Sequence, residues 1–234
     1  MTTPPPPPEL ALHYDTMWDR AFAAVAAGDI DCDTRLAAGP DPRRGLTVIA
    51  RPGPEACARF DTLLDRLSAL EPGQYRQPPP DMHMTVLSLF TVAGDATPAL
   101  ARLADYRAAV RAAVAGVEAF EVAFAGIALS RGAVLARGFP QGPQPELLRA
   151  RLRAQLRKRG LDALLDERYR LVTAHATLLR FVRPLRDPAR FSEELALLRD
   201  APLGTMRVDR LELVVNDWTM SSASLERVDT LPLS

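Results

Sequence analysis

An α+β fold in two related lobes is what this sequence predicts, and three observations carry that expectation. Helical and strand-like stretches alternate, and each half of the chain runs strand, helix, loop, strand. The last strand of each half opens on one four-residue frame, His-x-Thr-apolar: His83-Met84-Thr85-Val86 and His175-Ala176-Thr177-Leu178. The sequence contains only 3 histidines, so two of them sit in this frame and one, His13, remains outside it.

Taken in order, Pro4 to Pro8 favours an extended polyproline tail with no internal hydrogen bonds. From Glu9 to about Gly28 the residues Leu12, Trp18, Phe22 and Val25 recur at helical spacing, and Gly28 supplies the stop. His13 falls within this surface helix, where a lone histidine is expected to be bland rather than catalytic. Asp31 to Arg44 carries Gly39-Pro40-Asp41-Pro42, a loop signature. Gly45 to Ala50 has the β-branched content of a strand, which Pro52 and Pro54 terminate. Glu55 to Leu70 sets Phe60, Leu63, Leu64 and Leu67 on one side of a helix, and a loop through Pro78-Pro79-Pro80 leads into the first His-x-Thr strand.

In the second half, Pro98 to about Val117 is expected as one amphipathic helix. Phe120 to Ser130 and Ala133 to Phe139 read as strands joined by a tight turn at Arg131-Gly132. A helix from Gln144 to Arg159 closes on Gly160, where a C-terminal cap prefers glycine. Leu161 to Tyr169 is short and mixed, and the second His-x-Thr strand follows. Pro188 to Leu198 is a short helix, Met206 to Trp218 one long strand, and Ser224 to Leu231 an edge strand. The resulting division is a proline-rich tail (1–8), an N-terminal helix and loop (9–43) and a bilobal domain (44–234).

Composition bounds the function. With 234 residues and 47% hydrophobic content the chain can bury a substantial core. The 29 basic and 29 acidic side chains balance, so no global field gathers DNA or an anionic membrane, while a local pocket for one phosphate needs only a few donors. Cys32 and Cys57 are isolated, with neither CxxC nor zinc-finger spacing, so reduced thiols are expected. The absence of a secretory h-region and of any long apolar run predicts a soluble, cytoplasmic protein with no membrane partner.

Side chains alternate along a strand, so His83 and Thr85 share one face while Met84 and Val86 share the other, and the same holds for His175 and Thr177. If the halves are related by an approximate two-fold, two imidazoles and two hydroxyls surround one point. One neutral and one protonated imidazole form a base and an acid, and the hydroxyls donate to phosphoryl oxygens. Two copies of the frame in equivalent places make this pair far more telling than either alone.

These two motifs, His83-Met84-Thr85-Val86 and His175-Ala176-Thr177-Leu178, resemble the twin signature of the two-histidine phosphoesterase superfamily, which includes RNA 2',3'-cyclic phosphodiesterases and 2'-5' RNA ligase-like proteins. The resemblance spans roughly Arg44 to Leu233. It implies a bilobal α+β fold with antiparallel sheets around a central groove, and metal-independent, cofactor-free hydrolysis of a cyclic phosphodiester. His83 and His175 would then be acid and base, and Thr85 and Thr177 would hold the phosphate of a nucleotide or RNA end. A monomer is expected. The N-terminal helix and proline tail depart from compact members of that family.

Two other readings use the same residues: a non-catalytic nucleotide- or RNA-binding module, and a mutarotase-like sugar isomerase, against which the matched threonines weigh. A metal site from His83, His175 and Asp81 lacks compact ligand spacing. Arg149, Arg153 and Arg157 are expected on a solvated helix face. Tyr75, Tyr169 and Trp218 either stack on a base or pack internally. Arg180, an odd number of residues from His175, is expected on the opposite strand face unless a bulge intervenes. No chemical role attaches to Asn216-Asp217-Trp218.

Overall fold

Prolines and glycines mark several of the helix ends. The computed structural model of the protein describes residues 7–37, 43–91, 95–166 and 170–234. Pro4 to Pro6, the Gly39-Pro40-Asp41-Pro42 loop and Tyr169 lie outside the described residues. Helices α1 (Pro8–Ala26) and α2 (Pro54–Leu70) each begin on a proline, whose missing N–H belongs to an unpaired first-turn position anyway. α1 buries Tyr14, Trp18, Ala21 and Val25 at spacings of four, three and four, and the chain turns away at Gly28, which has φ +74°.

Among the described residues, nine strands build one antiparallel sheet: β1 (Gly45–Ala50), β2 (Tyr75–Arg76), β3 (Met84–Phe90), β4 (Phe120–Ser130), β5 (Ala133–Gln141), β6 (Ala176–Arg180), β7 (Pro202–Val208), β8 (Arg210–Asn216) and β9 (Glu226–Pro232). Their order is β7-β4-β5-β6-β3-β1-β8-β9, with β2 beside β6. The two halves of that order are the two lobes. In one, β1, α2 and β3 form the duplicated strand-helix-strand unit; in the other it is β5, α5 (Gln144–Lys158) and β6. β3 and β6 pair through one residue pair, Met84 with Ala176, so the His-x-Thr strands touch at one point and splay beyond it, with β2 pairing β6 alongside.

The sheet curls. Only Asp209 separates β7, at one edge, from β8, seventh in the order. A flat sheet would hold those strands about 29 Å apart at roughly 4.8 Å per strand, far more than two residues span. Residues after β9 complete the curl: the Leu233 amide donates to the Asp209 carbonyl at 2.8 Å and the Ala119 amide to that of Ser234 at 2.9 Å. Apolar residues on one face of β3 and β6, including Met84, Val86, Leu178 and Leu179, join a core with Phe60 of α2, Leu148 and Leu152 of α5, and Phe191 of α6 (Pro188–Leu198). The opposite face is left to the groove.

Three elements differ from the sequence expectation. The helix expected over 98–117 is broken into α3 (Thr97–Leu100) and α4 (Leu103–Val114). At the break the Arg102 guanidinium donates to the carbonyls of Gly160 at 2.9 Å and Arg159 at 3.1 Å, closing the C-terminus of α5. The strand expected over 206–218 is β7 followed by β8, because the first half pairs with β4 and the second with β1 in the other lobe. Of the three α5 arginines expected on a solvated face, Arg149 is 1% exposed and Arg153 5%, while Arg157 is exposed as expected.

Candidate active site

The two His-x-Thr frames meet across the single β3–β6 bridge. Antiparallel pairing about Met84 and Ala176 sets His83 toward Thr177 and Thr85 toward His175, a square with like groups on its diagonals. All four side chains line one pocket of about 430 Å³. Each imidazole is held through its Nδ1: that of His83 lies 2.8 Å from the Asp81 carbonyl, and that of His175 lies 2.7 Å from the Thr173 hydroxyl. Both anchors come from the residue two before the histidine, and in each ring Nε2 is left for the pocket. The Asp81 carbonyl only accepts, so Nδ1 of His83 carries its proton and Nε2 of the neutral ring offers a lone pair. The Thr173 hydroxyl can accept or donate, so it serves His175 in either tautomer.

Burial pushes both imidazoles down to about 4. For His175 the next contributions are the charges of His83, Arg149 and Arg180, and for His83 the Asp81 carbonyl works the other way while Arg51 and Arg180 add to the lowering. The unliganded pocket therefore holds two neutral rings at pH 7.

Each frame carries a β-bulge at its fourth residue. Opposite one step of β5, from Val134 to Leu135, β6 takes two, from Leu179 to Thr177, leaving Leu178 extra. Opposite the step from Val48 to Ile49, β3 likewise leaves Val86 extra. Both residues stand three after their histidine, and their carbonyls are taken from outside the sheet: Leu178 accepts from the Gln77 amide at 2.8 Å, Val86 from Nε of Arg149 at 2.9 Å. A bulge shifts the alternation by one residue. The position five after each histidine consequently faces the pocket, and there stand Ser88 and Arg180.

Arg180 thus corrects the expectation that it lies on the opposite face. Its Nε is buried without a protein partner, and burial holds its guanidinium below the usual arginine range. A second bulge in β3, between the Leu46 and Thr47 pairings, brings in Thr91, whose buried hydroxyl oxygen is also unpartnered. The Asn216-Asp217-Trp218 stretch, which the sequence left without a role, lines the pocket as well. Asn216 accepts from the Thr47 hydroxyl at 2.9 Å, Asp217 accepts from the hydroxyls of Thr219 and Ser224, and the Trp218 indole N–H donates to Asp33 at 2.7 Å. Tyr75 is not on the pocket wall, though Asp81, Arg180 and Asp217 all act on its hydroxyl. The Asp81 carboxylate is turned away and accepts from the Ser222 amide at 2.7 Å. Among the described residues no three His, Cys, Asp or Glu side chains converge as a metal-ligand set.

Behind the pocket, the Arg149 guanidinium donates to the carbonyls of Val86, Val172 and Thr173, tying α5 to both frames at once. From the other side Tyr14 of α1 reaches the backbone beside His175. Its hydroxyl accepts from the amides of Ala174 at 3.1 Å and Gly138 at 3.3 Å and donates to the Gly138 carbonyl. Gly138 is required there, since a Cβ would overlap the Ala174 carbonyl oxygen. The same helix brings Met17 and the exposed His13 to the pocket lining.

Comparison with known proteins agrees with this architecture. The structure is similar to TT0787 of Thermus thermophilus (16% identity, 81% of this chain and 97% of that one, TM-score 0.59), to E. coli LigT (15%, 83% and 99%, 0.54) and to a conserved protein of unknown function from Agrobacterium tumefaciens (15%, 91% and 98%, 0.57). At these identities the likeness is one of fold. Curated protein sequences gave no match. The family model described as the 2'-5' RNA ligase superfamily matches residues 52–218, a span that runs from just after β1 through both His-x-Thr frames to Trp218. The chain belongs to the 2'-5' RNA ligase superfamily, the two-histidine phosphoesterases.

Proposed function

We propose that the protein hydrolyses a 2',3'-cyclic phosphodiester at an RNA end or on a nucleotide, without a metal ion, using His83 and His175 as the proton-transferring pair. The observation that carries this reading is the pair of imidazoles, both anchored through Nδ1 with Nε2 toward one pocket that also holds Thr85, Thr177 and the unpartnered Nε of Arg180. Crystal structures of E. coli LigT with ATP, NADP+, 3'-AMP and phosphate lend support from a similar fold.

In this reading the phosphate anion sits between the frames, accepting from the threonine hydroxyls and Arg180. Its negative charge raises the histidine pKa values from about 4 and so favours one protonated ring in the complex. His83, with its Nε2 lone pair, takes a proton from water as the water oxygen bonds to phosphorus. His175, protonated, donates from Nε2 to the 2' or 3' oxygen as its bond to phosphorus breaks. A phosphomonoester and a free hydroxyl result, and the proton removed on one side equals the one delivered on the other.

Hydrolysis of the four 2',3'-cyclic nucleotides in EDTA tests the proposal, with His83→Ala and His175→Ala beside the parent. Each substitution is expected to lower kcat by roughly 10²–10⁴-fold, the ordinary contribution of a positioned acid or base. Absence of turnover on all four, with nucleotide binding retained, would leave a binding module in its place.

A further inference from the structure

We infer that the group attached to the reacting phosphate passes over His13 into a second cavity, and that this cavity takes an uncharged ring, a nucleobase, in preference to a further phosphate. The inference rests on the phosphoesterase reading of the first pocket and adds to it the direction and chemistry of the rest of the substrate.

His13 lines both cavities. The second measures about 430 Å³, within the range of about 300–1,000 Å³ typical of small-molecule sites. It lies between the first turn of α1 and the start of α5, with Leu10, Pro140, Pro145 and Val172 as apolar walls. Val172 is 43% exposed, unusual for a large apolar residue three before a pocket histidine. The charged groups on its walls are carboxylates, Glu9 and Glu146. The guanidinium that pairs with Glu146, that of Arg149, is buried behind the wall on backbone carbonyls. With Glu146 ion-paired to Arg149, a second phosphate would still meet the Glu9 carboxylate and, among the described residues, no arginine or lysine on the walls to receive it, whereas an uncharged ring meets apolar surface and carboxylate acceptors for exocyclic amino groups.

The Trp218 part of the pocket wall is less suited to a base. Trp218 already has the guanidinium carbons of Arg35 at 5.4 Å, Arg43 at 5.9 Å and Arg180 at 5.8 Å from its ring centroid, and its indole N–H is bonded to Asp33. At the junction, His13 is close enough for its charge to act on His175. Its helix is held by the Tyr14 hydroxyl at Gly138 and Ala174, so the imidazole is presented from a fixed support.

Calorimetric dissociation constants for inorganic phosphate and for adenosine 3'-monophosphate, measured on the full chain, test this. In the parent the nucleotide should bind at least about tenfold tighter than phosphate. Val172→Trp, which fills the cavity, and Glu9→Trp, which fills it from the opposite wall, should each abolish that advantage while leaving phosphate affinity within about twofold. His13→Ala should remove part of it. A nucleotide that binds no tighter than phosphate, or an advantage that survives both tryptophan variants, overturns the inference, as does loss of the advantage in Trp218→Ala alone. Binding is read independently of turnover. Loss of the advantage in the filled-cavity variants without hydrolysis of any cyclic nucleotide would therefore uphold the subsite while removing the catalytic reading, and hydrolysis with no such loss would do the reverse.

Discussion

At the residue scale, the two imidazoles carry the chemistry and also the pH dependence. In the free protein both titrate near 4, so the form with one proton shared between them becomes scarcer by about tenfold for each pH unit above that value. The account therefore predicts that kcat/KM, which reports the free protein, falls with a slope near −1 between about pH 5 and 8. The falling limb of kcat should lie at higher pH, because the bound anion raises the same pKa values. Stability is linked with the opposite slope. Unfolded histidines titrate near 6.5 and the folded ones near 4, so between those values the unfolded chain binds more protons and stability drops as the pH falls. Thermal midpoints measured from pH 7 to 5 should decline, and more shallowly in a His83→Gln/His175→Gln double variant; equal slopes would show that the rings are not held neutral.

At the scale of elements, the bulges matter more than the alternation that first suggested the site. Strand alternation from His83 and His175 correctly sets Thr85 and Thr177 on the pocket face, and it then misplaces Arg180 by one residue. The apolar runs Val86-Leu87 and Leu178-Leu179 carry no mark of a bulge, since either residue of each pair suits a strand. One signal was present all the same: polar groups at the second and fifth positions after each histidine, Thr85 with Ser88 and Thr177 with Arg180, keep the same spacing in both copies. Arg149 is the tertiary counterpart of that local device. Arg149→Met would strip partners from three backbone carbonyls, each worth about 1–3 kcal/mol when left buried and unpaired. We expect a fall in denaturant midpoint and a loss of kcat larger than any change in KM, whereas a kcat equal to that of the parent would limit Arg149 to a structural role. Sequence periodicity could not reveal this, because arginines four apart on a helix look alike whether they face water or a sheet.

At the scale of the whole molecule, the duplication was legible and its closure was not. Element order and the twin frames gave the two lobes, since both are local features. The break at Asp209, which sends β7 to one lobe and β8 to the other, depends on partners about 90 and 160 residues away in sequence, Phe120 to Ala125 and Gly45 to Ile49, and no local preference marks it. The same holds for α1, whose amphipathic face was evident but whose place against β4, α6 and the pocket was not. Trp18 of that helix is 5% exposed, stacked on Phe22 at 4.9 Å and covered by Arg199 at 5.0 Å. Trp18→Ala should cost about 3–5 kcal/mol in equilibrium unfolding, as for other large buried aromatics. A cost near zero would mean that the helix does not dock on the lobes.

His83 and His175 are expected to serve one phosphate site. With only three histidines in the chain, ring resonances assigned by single substitutions can be followed by NMR during titration with adenosine 3'-monophosphate. The account predicts that the His83 and His175 signals move together along one saturation curve with a common Kd, and that both pKa values rise from about 4 toward neutrality in the complex. Response of only one ring, or two rings saturating at different concentrations, would contradict it.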